Sequence, residues 1–180
     1  MKLLLDACVL YPTVMREMLI GAAKADLFVP LWSERLLEEW ARAARKRDPL
    51  QEVQARGEIA VLRSDFPKAE VSYPPTLEAR LWLPDPADIH VLAAAIAGSA
   101  DRIVTLNAKD FPKNILHEEG LTRIDPDAVL YQFWLDNADA MDAVGANVLH
   151  QAQHLSGRDW DMRALMKKAR LPRLGKALGR

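Results

Sequence analysis

Asp6, Glu38, Glu39, Asp85, Asp88, Asn107 and Asp110 are the side chains of this 180-residue chain whose types and positions suggest chemistry. They fall at or near predicted strand ends and helix starts. Gathered at one sheet edge, several carboxylates would repel one another unless a cation sat between them. Hard oxygen donors select Mg²⁺ or Mn²⁺ over zinc. Such an ion needs few carboxylates and keeps waters, one of which can become a nucleophile. Phosphodiester hydrolysis is the reaction this set would serve best. It needs phosphate charge neutralised, a water oriented and a departing oxygen stabilised.

The elements that must position these groups centre on Pro84 to Pro112. Asp85 or Asp88 opens a helix there, where the partial positive charge of a helix N-terminus favours an acid. Ile89, Leu92, Ala93 and Ile96 give helical spacing, and Ala93–Ala95 keep that helix slim enough to lie close to a sheet. Gly98 is a natural stop. Arg102–Thr105 is short, β-branched and apolar, which suits a buried parallel strand. Asn107 and Asp110 follow its end, where open parallel sheets form their sites.

The rest of the chain supplies a matching frame. Lys2–Leu5 is an apolar run stopped by Asp6 and reads as a first strand. Thr13 to Lys24 has helical spacing. Leu27–Val29 reads as a second strand closed by Pro30. Ser33 is a good helix cap for a segment running to Arg47. A helix over Leu50–Arg63 follows, then a connector in which Val71–Tyr73 could form a strand. Thr76–Leu81 reads as a short helical segment. Leu121–Ile124 reads as a last strand, and helices are expected after Asp125, over Ala138–Leu155 and around Trp160–Met166. This order predicts an α/β fold, a doubly wound parallel sheet of four or five strands with helices on both faces. The expected domains are 1–124 for the α/β part and 125–180 for a helical extension.

Bulk composition narrows the classes. Half the residues are apolar and 27% charged, ordinary for a soluble domain. A net charge of -1 argues against a general nucleic-acid coat, although Arg158–Arg180 holds eight basic and two acidic residues. One cysteine, Cys8, precludes an internal disulfide and fits a cytoplasmic protein. No signal peptide or membrane-length apolar run is found, and no glycine-rich nucleotide loop.

Four pieces in this order, Asp6 after a strand, the Ser33…LLEEW helix, DPADIHVLAAA and IVTLNAKDF, resemble the PIN domain family over about Met1–Ile124. That family includes the toxin nucleases of bacterial VapBC toxin–antitoxin pairs. The resemblance implies a Rossmann-like α/β/α sandwich and a divalent-metal ribonuclease site of three or four acids, using Mg²⁺ or Mn²⁺. It implies RNA as substrate, cleavage leaving a 5′-phosphate, and often a homodimer neutralised by an antitoxin, with no membrane. Carried over by residue, it makes Asp6, Glu39, Asp88 and Asp110 the catalytic acids, with Asp6, Asp88 and Glu39 as metal ligands. Glu39 is preferred to Glu38 because it precedes Trp40, and Asp85 becomes a turn or cap. Thr105 matches a position that hydrogen-bonds an active-site acid. Asn107 stands where many members have aspartate, and can still offer a carbonyl oxygen.

Other groups have plainer readings. Arg42, Arg45 and Lys46 could line an RNA backbone or simply form a solvated helix end. Cys8 reads as a small buried hydrophobe. His90 could point to solvent. His150 and His154 have the spacing of a helical metal pair but no HExxH glutamate, which favours a structural or surface role.

Overall fold

A computed structural model describes all 180 residues. The element order is β1 (Lys2–Leu5), α1 (Ala7–Leu10), α2 (Thr13–Lys24), β2 (Val29–Leu31), α3 (Glu34–Arg47), α4 (Pro49–Asp65) and α5 (Pro75–Ala79). A 3-10 turn (Pro86–Asp88) leads into α6 (Ile89–Ala97), then β3 (Arg102–Val104), α7 (Lys113–Glu118) and β4 (Thr122–Ile124). The C-terminal part is helical: α8 (Pro126–Asp136), α9 (Ala138–Ser156), α10 (Met162–Lys168) and α11 (Pro172–Leu178).

The four strands form one parallel sheet in the order β2-β1-β3-β4. This is the α/β architecture expected, with the lower of the two strand counts and a helical C-terminal part. Leu3, Leu4 and Leu5 are fully buried, as a central parallel strand covered on both faces requires. Burying each such side chain contributes about 1.5–3 kcal/mol. Successive strands run outward from β1 on one side and from β3 on the other. The order therefore reverses between β1 and β3, and the crevice at such a switch point is where open α/β sheets bind ligands.

Several local expectations need correction. The second strand is Val29–Leu31, not Leu27–Val29, and Pro30 lies inside it opposite Leu3. A proline is tolerated because β2 is an edge strand. Val71–Tyr73 is not a strand: that connector makes only one bridge, Glu70 with Trp32, and Pro74 and Pro75 bring no N–H to extend it. Gly98 ends α6, but with φ of -77°, and Ser99 takes the left-handed turn at 52°. A side chain at Gly98 would meet Leu31 Cδ1 at 2.9 Å and Val71 Cγ2 at 3.0 Å, so close packing explains this glycine. The short helices α1, α7 and α11 were not foreseen.

The chain divides into two compact units. The first comprises Met1–Tyr11 and Val29–Ile124; the second comprises Pro12–Phe28 and Asp125–Arg180. The second unit is helical. In it, α2 packs against α8 and α9, with Phe28 stacked on Phe133 at 5.4 Å. At Gly21 an added Cβ would lie 2.5 Å from Val144 Cγ1, so these helices need a glycine where they approach. No helix is long and apolar enough to cross a membrane.

Candidate active site

The first unit builds its acid cluster from the ends of β1 and β3 and the start of α6. Leu5 pairs with Val104, so the next residues, Asp6 and Thr105, emerge side by side. The Asp6 amide donates to the Val104 carbonyl at 3.2 Å. The Asp6 carbonyl starts α1 by accepting from Val9 and Leu10. Its carboxylate does not cap that helix. Instead Oδ2 accepts from Thr105 Oγ1 at 2.7 Å and from Cys8 Sγ at 3.2 Å. Asp6 is thereby held rigid, with only 5% of its surface exposed.

Thr105 is itself fixed: its Oγ1 accepts the Asn107 amide at 3.0 Å. Cys8 Sγ accepts the Leu106 amide at 3.3 Å. The expectation that Cys8 is merely a buried hydrophobe therefore fails; it is a half-buried member of the Asp6 hydrogen-bond set. Burial and then the Asp6 charge push its thiol up to about 12. It stays protonated at neutral pH and donates, which makes it a poor nucleophile.

Asp85 and Asp88 divide their work. Asp85 is exposed, and its Oδ1 accepts the Ala87 amide at 2.9 Å, capping the 3-10 turn. Asp88 precedes α6 and makes no side-chain cap bond, so its carboxylate is free. It is pushed up to about 6 by partial burial first, then by the charges of Asp6, Asp85 and Asp110. Neither lysine nor arginine pairs with any of these four carboxylates, so nothing offsets their mutual repulsion. Asp110 reaches the region from the loop after β3. Buried Phe111 anchors that loop, and Arg123 Nε donates to the Phe111 carbonyl at 2.8 Å. Asn107 is exposed on the same loop, and its carbonyl accepts the Asp110 amide at 3.1 Å.

On α3 the two adjacent glutamates face different neighbours. Ser33 Oγ caps the helix at 3.2 Å from the Leu36 amide and sets its phase. Glu38 is held by Arg56 at 2.9 and 3.0 Å and by Arg42 at 3.2 Å, and these cations, Arg56 first, lower its pKa. Glu39 instead comes within 2.8 Å of His90 Nε2, and 3.7 Å from Arg35. The His90 contact is close, but its direction is not that of a hydrogen bond: both ring nitrogens lack a partner. His90 is 1% exposed, against the expectation that it could face solvent. His90 is thus buried against Glu39, two residues after Asp88. The only signal in sequence was its adjacency to Asp88.

The basic residues of α3 are largely spent elsewhere. Arg42 pairs with Glu38 and Arg45 with Glu52 at 3.6 Å; Lys46 is exposed and pairs with no acid. His150 and His154 are exposed on α9.

The donors suit a hard divalent cation: all are oxygens, the Asp6 carboxylate is buried and immobile, and the four aspartates have no lysine or arginine partner. No three His, Cys, Asp or Glu side chains close around one point at ligand spacing. A magnesium-type ion held by one or two carboxylates and its own waters does not require that.

A parallel sheet with acids at its switch point is an α/β arrangement whose ligands bind outside the strand ends. The family model described as PIN domain matches residues 2–109, and the chain belongs to that family. Comparison with curated proteins and with solved structures gave no match. PIN domains are generally nucleases, acting on nucleic acid and typically using divalent metals. The matched span begins in β1 and ends one residue before Asp110, so it includes Asp6, Glu39, Asp88, Thr105 and Asn107.

Proposed function

We propose that this protein is a divalent-metal-dependent endoribonuclease that hydrolyses RNA phosphodiester bonds, and that it acts as a VapC-like toxin of a toxin–antitoxin pair. The observation that carries the nuclease reading is the immobilised Asp6 carboxylate beside an Asp88 whose ionisation is resisted by burial and by three further acids. Asp6, Asp88 and Glu39 would hold Mg²⁺ or Mn²⁺, with Asp110 as a further acid and the Asn107 carbonyl as a neutral donor. When bound, the ion supplies charge neutralisation for the scissile phosphate and lowers the pKa of water.

The chain's own residues do the rest. Thr105 and Cys8 fix the Asp6 carboxylate in one orientation, which matters because catalysis is sensitive to small displacements. Glu39 lies against His90, two residues after Asp88, whereas Glu38 is committed to Arg56. The protonated thiol of Cys8 argues against a covalent enzyme intermediate, leaving direct hydrolysis. The toxin reading rests on the resemblance of the four motifs; a PIN-type RNA-processing nuclease without an antitoxin is the nearest alternative. Asn107, in place of an acid, favours a third reading as a silent binding module.

The test is cleavage of labelled total RNA by the purified protein with Mg²⁺, Mn²⁺ or EDTA, beside Asp6→Asn. Metal-dependent cutting that falls by at least about a hundredfold in the variant supports the nuclease. Cutting unchanged by Asp6→Asn would end it. Growth arrest on expression, relieved by a neighbouring gene product, separates toxin from processing enzyme.

A further inference from the structure

The net charge of +6 over Arg158–Arg180 plays no part in the acid cluster. Within the second unit, three of these cations, Arg173, Lys176 and Arg180, line one recess of about 530 Å³ with Tyr131 and Trp134 of α8. The two rings lie nearly parallel, 12° apart with centroids separated by 5.9 Å. Trp134 is locked: its indole N–H donates to Asp142 at 2.9 Å. The Arg180 guanidinium lies 4.5 Å from the Trp134 centroid and also donates to Asp142 at 3.0 Å. Arg173 and Lys176 differ. Both are exposed, they are three residues apart on one helical face, and neither side chain pairs with an acid.

The recess is preorganised. Asp127 of α8 is 6% exposed, and its two carboxylate oxygens accept the Arg173 amide at 2.9 Å and the Leu174 amide at 3.0 Å. This clamps the start of α11, which carries the cations, to α8, which carries the rings. Flat aromatic surface beside uncompensated cations matches a polymer of planar bases joined by phosphates. An acidic peptide would use the cations and leave the rings idle. A duplex would offer phosphates but keep its bases stacked.

We propose that this recess binds single-stranded RNA, one base stacking against Tyr131 while adjacent phosphates pair with Arg173 and Lys176. The choice of RNA rests on the function proposed above. The recess supplies affinity, and the acids of the first unit supply the chemistry.

The test measures anisotropy of a labelled single-stranded RNA of roughly twelve nucleotides, within the span such sites occupy. It uses the full chain carrying Asp6→Asn, in EDTA, so that cutting does not enter. Arg173→Ala with Lys176→Ala should weaken binding at least about tenfold and reduce the slope of log K against log salt by about 1.4. Tyr131→Leu should weaken it about tenfold with the slope unchanged, and Tyr131→Phe should retain it. Thermal melts confirm that each variant is folded. No binding by the full chain, or unchanged affinity in the charge variant, would overturn the proposal. So would equal displacement by polyglutamate with no effect of Tyr131→Leu, which would assign the surface to an acidic protein. RNA binding of the expected kind by this variant, with no cutting by the unsubstituted protein in Mg²⁺ or Mn²⁺, would sink the nuclease reading and leave the recess standing.

Discussion

Asp88 is a carboxyl whose fold works against its charge. Its pKa rises from an ordinary value near 3.8 to about 6 through burial and three neighbouring acids. Between those values the folded chain binds more protons than the unfolded chain, so stability falls as pH rises through this window. The destabilisation is complete above about pH 6. In EDTA, Asp88→Asn should therefore melt higher than the wild-type protein at pH 7, with the difference shrinking toward pH 4. Parallel melting curves across that range would refute the account. A site that is less stable in its ionised state is a common mark of function. Sequence made the acids visible as types at expected places. Residue type alone could not separate Glu38 from Glu39, which only the family resemblance ranked, and their different partners, Arg56 from α4 and His90 from α6, show only in the fold. Nor could it reveal the Cys8 bond, which depends on β1 and β3 being neighbours.

Among the elements, α11 shows how a short helix is held. Seven residues are too few to be stable alone, since helix nucleation is costly. Its first amides are satisfied by Asp127, 45 positions or more earlier in the chain, and Leu174 beneath them is fully buried. Asp127→Ala should cost roughly 2–4 kcal/mol, the range for lost charge-assisted bonds at a buried helix start. Urea denaturation reads the loss, and a change within a few tenths of a kcal/mol would show the clamp to be idle. This long-range cap explains why α11 escaped a reading based on local signals. The strands and longer helices were legible because their signals are local. Lys2–Leu5 is an unbroken apolar run, Ser33 precedes periodic leucines, and Asp125-Pro126 is a strong helix start. Pro30 misled because its tolerance depends on β2 lying at the edge of the sheet. That is a property of strand order, not of the residue.

At the scale of the whole molecule, the clustered acids and the cation-rich tail belong to different units. The acids belong to the first, and Arg173, Lys176 and the other cations after Arg158 belong to the second. The second unit as a whole is nevertheless close to neutral, because five aspartates over Asp125–Asp142 offset most of the tail's cations. The general architecture followed from the alternation of strand and helix signals. The division of the chain was less accessible, since helical periodicity in Thr13–Lys24 reveals an apolar face without naming what covers it.

That helix visits the second unit between the first two strands of the sheet. The C-terminal helices are consequently no detachable appendix. They shelter a segment that the chain inserts between β1 and β2. Ending the chain after Ile124 should strip α2 of α8 and α9 and leave Met15, Met18, Leu19 and Ile20 without that cover. Such a fragment should be recovered largely in aggregates, as partition between soluble and pelleted fractions would tell. A soluble, sharply melting fragment would contradict this. Lineages of this protein could trim or lengthen the last loops freely, but shedding the tail would demand simultaneous rewriting of residues more than a hundred positions upstream.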